Sequence, residues 1–388
     1  MPASRRKFLY FSTGLALSLF GLNSCQSSNS TSSDLTVRIG VIGSLTGDDA
    51  DSGKALVDGA NLAADLVNDE GGLQVGNDKL SVELVVGDTQ STPEGAVEAA
   101  QTLINQEAVI AIVGPQYSRY AIPVARLAEQ SGMPMISPRS TNPETTAGKQ
   151  YVFRATFTDE FQGDVIARFA RESLNSKRAA VLYDVASPYN RGLAERFQQV
   201  YTEAGGTMAA FESYTTGTTD FQAQLGRILA SAPDVVFLPN YENEIPNQAR
   251  QLRQAGIQAT LLGADSWGSM EQQDRIPELQ GAYFSDQFVP NKDSDRTQGF
   301  ITRFQQTYGY MPPAGAAATY DSLGILFQAI ENQNSTAADN IRDGIANLGE
   351  YNGVTGTLLY QGSGDPKVSV AILKIESGRV SLHKEITP

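Results

Sequence analysis

The 388-residue sequence holds one cysteine (Cys25), one histidine (His383) and one tryptophan (Trp267). With no second cysteine there is no internal disulfide. A zinc site of the usual kind needs three or four Cys or His ligands, and His383 stands close to the C-terminus, so metal and His-based triad chemistry lack their parts. Basic residues are scarce as well: 29 Lys and Arg against 43 Asp and Glu leave a net charge of −14. That balance excludes a nucleic-acid binder, which needs a basic face against phosphate. Hydrophobic residues at 41% and charged ones at 19% describe a folded chain rather than a disordered one. At about 150 residues per domain the length suggests two to three domains. Function must therefore rest on carboxylates, hydroxyls, arginines, tyrosines and backbone amides.

Enzyme signatures are thin too. No GxSxG elbow occurs, and GDDADSGKA at 47–55 has five residues rather than four between its glycines, with Ala after the Lys, so it does not make a phosphate loop. A carboxylate pair such as Asp159 and Asp265 has the chemistry for acid–base work, which turnover of a ligand would reveal. No cofactor, metal or catalytic group is expected, and the chain is read as a non-enzyme.

The first 25 residues read as an export signal. Arg5, Arg6 and Lys7 precede a mainly apolar run from Phe8 to Leu22, too short to span a bilayer comfortably as a helix. Ser4-Arg5-Arg6-Lys7-Phe8-Leu9 resembles the twin-arginine export motif, with general secretion as the alternative, and LNSC resembles a bacterial lipobox, which implies lipidation of Cys25. The Ser-rich stretch over residues 26–35 has the composition of a flexible tether. The body is thus expected outside the cytoplasm, held to a membrane by lipid.

Beyond residue 35, strand and helix patterns alternate. Val37–Gly43 reads as a buried strand, and residues 53–70 carry Leu56, Ala60, Ala63 and Val67 on one helical stripe that stops at Gly71-Gly72. Leu80–Gly87 is a strand, and Thr92 and Pro93 open the next helix as N-cap and first helical residue. Strands follow at Val109–Val113 and Pro134–Ile136, with a helix between. A second series runs Ala179–Tyr183 strand, Leu193–Glu203 helix, Asp220–Ala230 helix, Val235–Leu238 strand, Glu244–Ala255 helix and Thr260–Leu262 strand. After a strand at Tyr283–Val289, helices are expected over 296–308, 316–332 and 338–348, and Val354–Tyr360 with Val368–Ile375 as a closing strand pair. This alternation predicts α/β architecture with parallel sheets covered on both faces, and about a dozen strands call for two doubly wound lobes.

In open α/β sheets ligands bind beyond the carboxyl ends of the strands. The stretches in question are 44–53, 114–120, 137–142, 184–192, 240–243 and 263–268, all rich in hydroxyls, aromatics and acids. IGVIGSLTG at 39–47, NDEGG at 68–72, IVGPQYS at 112–118, MISPRSTNPE at 135–144, VFRATFTDEFQG at 152–163 and VLYDVASPYNRGLAERF at 181–197 resemble, in order, the periplasmic amino-acid-binding proteins of the leucine/isoleucine/valine type. The resemblance covers essentially the whole chain after residue 36. It implies a type I binding-protein fold, two lobes joined by three crossings with ligand in the cleft. One lobe would hold 36–158 and 287–371, the other 159–286 and 372–388. It also implies an amino-acid ligand, an ABC permease as partner and a monomeric receptor, with urea, short amides or a sensory role as alternatives.

Carried onto this sequence, the family's site puts Ser118 and Thr141 at the ligand α-carboxylate and Asp159 and Asp265 near the α-ammonium. Ser118 would open a helix, where free N–H groups favour an anion, although helix capping is an equally ordinary use of Ser118 and Thr141. Capping or loop roles are likewise open to the two acids. Tyr189 and Tyr241 stand at positions that supply aromatic wall or hydrogen bonds, or else core packing. Two departures bear on specificity: Ser52 stands where the family often has an aromatic residue, and Arg139 where it has a small one. Arg139 either pairs with a polar or acidic ligand group, its fork suiting carboxylates, or points to solvent. Trp267 is open between the cleft rim and the core.

Overall fold

Runs of buried residues make the central strands, and Gly114-Pro115 follows Ile112-Val113, Pro138 follows Met135–Ser137 and Pro239 follows Val235–Leu238. The computed structural model describes residues 35–270 and 273–388, so the signal, Cys25 and the tether up to Asp34 lie outside the described residues. The first sheet contains β1 (Leu35–Gly43), β2 (Leu73–Val75), β3 (Asp78–Asp88), β4 (Ile112–Val113), β5 (Met135–Ser137) and β6 (Val152–Arg154), in the order β2-β3-β1-β4-β5-β6. Its strands run parallel except at the β2/β3 hairpin. The second sheet begins with β7 (Arg178–Asp184), β8 (Thr207–Tyr214), β9 (Val235–Leu238), β10 (Thr260–Gly263) and β11 (Tyr283–Asp286), all parallel. A separate hairpin of β12 (Gly349–Asn352) and β13 (Thr357–Tyr360) follows. The last strands, β14 (Val370–Glu376) and β15 (Arg379–Ile386), return antiparallel to give the order β15-β14-β11-β10-β9-β7-β8. After β6 the chain leaves the first sheet for the second; after β11 it leaves the second sheet for three helices and the separate hairpin, one of those helices packing on the helix after β1, and it returns to the second sheet at β14.

Helices link the strands: α1 (Ala50–Asp69), α2 (Pro93–Asn105), α3 (Ser118–Gln130), α4 (Asp159–Arg168), α5 (Pro188–Glu203), α6 (Gln222–Ala230) and α7 (Ile245–Gln254), then α8 (Asp295–Tyr308), α9 (Ala314–Gln333) and α10 (Ala338–Ala346). Their ends follow local chemistry. Thr92 caps α2 by accepting a hydrogen bond from the Gly95 amide at 3.0 Å, with Pro93 as the first helical residue, whose missing N–H costs nothing there. Past α1, Gly71 and Gly72 take φ of +97° and +94°, conformations that side chains resist. Along β7, Ala179, Val181 and Tyr183 join one core and Ala180 and Leu182 the other; β9 divides Val235 and Phe237 from Val236 and Leu238 in the same way. Both faces are buried, so these strands read as continuous apolar runs.

The tail departs from expectation. Thr357–Tyr360 pairs with Gly349–Asn352, whereas Val370–Glu376 pairs with β11 on one side and β15 on the other. The closing strand pair expected over 354–375 is thus two strands in different sheets, because apolar pattern marks a strand but not its partner. Strand β8 escaped the pattern, being an edge strand buried only in part. Trp267 is fully buried: its Nε1–H donates to the Leu238 carbonyl at 3.3 Å and its ring stacks on Phe284. Gly263 is required beside it, since a Cβ there would lie 2.2 Å from the indole.

Asp321, buried within α9, accepts hydrogen bonds from the Val354 and Thr355 amides and the Thr355 hydroxyl, yet burial pushes its pKa up to about 6. An unfolded Asp titrates near 3.9. Between those values the folded state keeps a proton that the unfolded state has released, so this contribution is complete below about pH 4 and is lost as pH rises through 6. The loss is of order 3 kcal/mol. Glu244, pushed to about 7 by burial, acts in the same sense. Thermal scans from pH 4.5 to 7 should show this falling component in wild type and a flatter profile in Asp321→Asn; superimposable slopes would refute the assignment.

Candidate functional site

The loops leaving the carboxyl ends of β1, β4, β5, β7, β9 and β10 converge. In the first sheet β1 lies between β3 and β4, and in the second β7 lies between β8 and β9. Strand order reverses at those places, where doubly wound sheets open a crevice. Ser118 begins α3 directly after β4, and its hydroxyl accepts from the Ser140 hydroxyl at 2.9 Å. The first-turn amides of such a helix have no intrahelical partners. Thr141 follows β5; its carbonyl accepts from the Asp159 amide at 2.9 Å, while its hydroxyl is buried without a hydrogen-bond partner.

Asp159 opens α4 and is 2% exposed, and neither carboxylate oxygen has a hydrogen-bond partner. Burial drives its pKa well above the usual carboxylate range. The Thr141 hydroxyl and the charge of Arg154 oppose the shift, and the charge of Asp265 adds to it. A buried carboxylate without donors is costly, and an adjacent cation relieves that cost.

Asp265 differs. Its Oδ1 accepts from the Tyr189 hydroxyl at 2.7 Å and the Gln162 amide at 3.0 Å, and its Oδ2 from Arg139 at 3.2 Å. Arg139 is 8% exposed; besides Asp265 it reaches Asp286 Oδ1 at 3.1 Å and the Asp265 carbonyl at 2.5 Å. Of the two fates open to Arg139 in the sequence, solvent is not the one observed: protein carboxylates hold its fork. Asp286 is pushed up to about 6 by burial against the pull of Arg139. Asp159, in contrast to Asp265, has no partner at either oxygen, and it lies next to Thr141.

Tyr241 stacks on Tyr189 with centroids 5.0 Å apart and meets Tyr117 edge-on at 4.8 Å. The Arg119 guanidinium lies 4.2 Å from the Tyr241 centroid and pairs with Asp49 at 2.5 Å. Glu242, 8% exposed, accepts at Oε1 from Ser52 at 2.5 Å and also from the Tyr117 hydroxyl. Ser118, Arg139, Tyr189, Tyr241 and Asp265 line one cavity of about 20 Å³, the room of about one water. Ser52 lines a neighbouring hollow of about 360 Å³, which shares Gln116 and Ser269 with the first. Thr141 and Asp159 are joined to each other by the backbone hydrogen bond and line neither hollow. Sequence reasoning named none of Gln116, Tyr117, Arg119 or Glu242 singly, although all lie in the carboxyl-end stretches 114–120 and 240–243. Among the described residues no His, Cys, Asp and Glu cluster is arranged to hold a metal, and no helix is long and apolar enough to cross a membrane.

Two largely parallel sheets whose carboxyl-end loops meet at a small polar cavity give this chain the architecture of a ligand-binding α/β protein. The chain belongs to the periplasmic binding protein family, whose model matches residues 36–379. A Leu/Ile/Val-binding protein homologue from Brucella melitensis is 28% identical over 354 residues, 89% of this chain and 92% of that one. A leucine-binding protein from Thermotoga maritima superposes with a TM-score of 0.84 at 31% identity, covering 91% of this chain and 99% of that one. A branched-chain amino-acid transporter substrate-binding protein from Streptococcus pneumoniae, solved with isoleucine, gives 0.84 at 29% identity over 91% and 100%. These relatives are binding proteins rather than enzymes.

Proposed function

We propose that this protein is the extracytoplasmic receptor of an ABC importer, capturing amino acids in the cleft between two lobes and delivering them to a membrane permease. One lobe is 36–158 with 287–371 and the other 159–286 with 372–388, and the lipid on Cys25, made available by the export signal, tethers the receptor to the membrane. The observation that carries the reading is Asp159, a buried carboxylate with no hydrogen-bond partner, which opens α4 next to the unpartnered Thr141 hydroxyl. An amino acid supplies both missing charges. Its carboxylate meets Ser118, Thr141 and the first amides of α3, and its ammonium meets Asp159 in a charge-assisted hydrogen bond. Asp265 acts through Arg139 and Tyr189, holding the tyrosine wall in place, while Tyr189 and Tyr241 cover the ligand backbone. Because the cavity in this arrangement holds about one water, the lobes must part to admit ligand and close on it. Ligand favours the closed form by its differential affinity. The relatives, named as binders of leucine, isoleucine and valine, support an amino-acid ligand. Urea and short amides are disfavoured, because a neutral ligand leaves Asp159 without a counter-charge.

A thermal-shift panel of the twenty amino acids, urea and short amides tests this. A ligand at about 100 times its dissociation constant should add roughly 2.7 kcal/mol. Several amino acids should raise the transition by a few degrees. Silence from all twenty, with a response to urea or an amide, would remove the amino-acid reading.

A further inference from the structure

Two buried acceptors that line the small cavity have no partner among the described residues. Glu242 Oε2 has no hydrogen-bond partner, while Oε1 of the same carboxylate already takes the Ser52 and Tyr117 hydroxyls. The Gln116 side-chain oxygen, in a residue 6% exposed, is likewise unpartnered. Both residues line the same small cavity as Ser118 and Tyr241, and Gln116 also borders the 360 Å³ hollow. Charge points the same way. Arg119 pairs with Asp49 through a terminal nitrogen while its Nε is unpartnered, Arg139 is shared between Asp265 and Asp286, and among the described residues no Lys or Arg pairs with Glu242. An aliphatic side chain placed here would leave the already buried carboxylate oxygen without a donor, whereas a polar one would relieve that cost.

Resting on the amino-acid reading above, we infer that Glu242, with Gln116, selects ligands whose side chains donate hydrogen bonds: carboxamides, hydroxyls and cations. Branched aliphatic side chains are the disfavoured class. Glu242 Oε2 receives the N–H or O–H, and the Gln116 carboxamide, whose rotation presents either oxygen or nitrogen, completes the contact. Carboxylate side chains are disfavoured too, since they bring a second anion and no donor to Glu242. A site built to hydrogen-bond a polar group rejects the analogue that lacks it more strongly than an apolar pocket rejects an extra methylene.

Isosteric pairs provide the test. Calorimetric titration of the purified protein should show asparagine at least tenfold tighter than leucine, threonine tighter than valine, and aspartate weaker than asparagine. Glu242→Gln keeps an acceptor for Ser52 and Tyr117 while turning the free oxygen into a donor, so the asparagine-to-leucine ratio should fall at least fivefold. Leucine and valine binding as well as their polar isosteres would overturn the inference and leave the amino-acid reading intact. An unchanged ratio in a folded Glu242→Gln variant would also overturn it. Binding of no amino acid at all would remove both readings. Should the variant not fold, the wild-type pairs decide alone.

Discussion

Asp159→Asn is expected to abolish amino-acid capture without weakening the unliganded protein. The substitution keeps the size of the side chain and its place at the start of α4 but removes the charge that would face the ligand ammonium. Truncating one member of a buried, hydrogen-bonded charge pair costs about 2–5 kcal/mol, or roughly thirtyfold to several thousandfold in affinity. Stability should move the other way or stay level, because the wild-type carboxylate is buried with both oxygens unpartnered and the amide is neutral. Acidification provides an independent readout. Burial raises the Asp159 pKa, and only the ionised form attracts an ammonium. Affinity in wild type should therefore drop as pH falls through that raised value, and the variant should lose this dependence. Titration calorimetry across pH, with a thermal scan of each protein, measures both effects. Affinity within threefold of wild type would take Asp159 out of the ammonium site.

Arg139→Leu is expected to weaken every amino acid by a similar large factor. The guanidinium ties the loop after β5 to Asp265, after β10, and to Asp286, at the end of β11. Without it two acids remain buried close together, and breaking a buried ion pair from one side costs about 3–5 kcal/mol. In the proposed mechanism these bonds form as the lobes close, so their loss lowers the population of the closed form. Apparent affinity falls by that fraction whatever the ligand side chain. The expected result is a loss of about a hundredfold or more across small, polar and aliphatic amino acids alike. Small-angle scattering should show a saturated variant staying more extended than saturated wild type. A loss confined to acidic ligands would instead mean that Arg139 reaches the ligand side chain.

The same residues show how far sequence carries. Val235–Leu238 was legible to the residue because both faces of β9 are buried, and the α2 boundary because Thr92 and Pro93 carry their own capping chemistry. The stretches that supply the site were legible too. Strand ends can be found from periodicity, and the carboxyl-end rule then names the loops. Within those loops, Ser118, Thr141 and Asp159 stood out by resemblance to a family pattern, whereas Glu242 is one acid among many in an acidic chain.

The alternation of strands and helices, the lack of material for disulfide and His-based chemistry, and the loops in which polar function concentrates are all legible in the sequence. These are properties of composition and of windows a dozen residues long. Only the tertiary structure decided that Val370–Glu376 joins β11 and not Thr357–Tyr360, that Trp267 is core, and that Arg139 is held by Asp265 and Asp286. It likewise decided that Asp265 is satisfied while Asp159 and one oxygen of Glu242 are not. The physical reason is distance along the chain. Arg139 meets its acids across more than a hundred residues, and Ser52 meets Glu242 across still more. Whether a buried charge is compensated depends on which groups the fold brings within about 3 Å, and no local pattern encodes that.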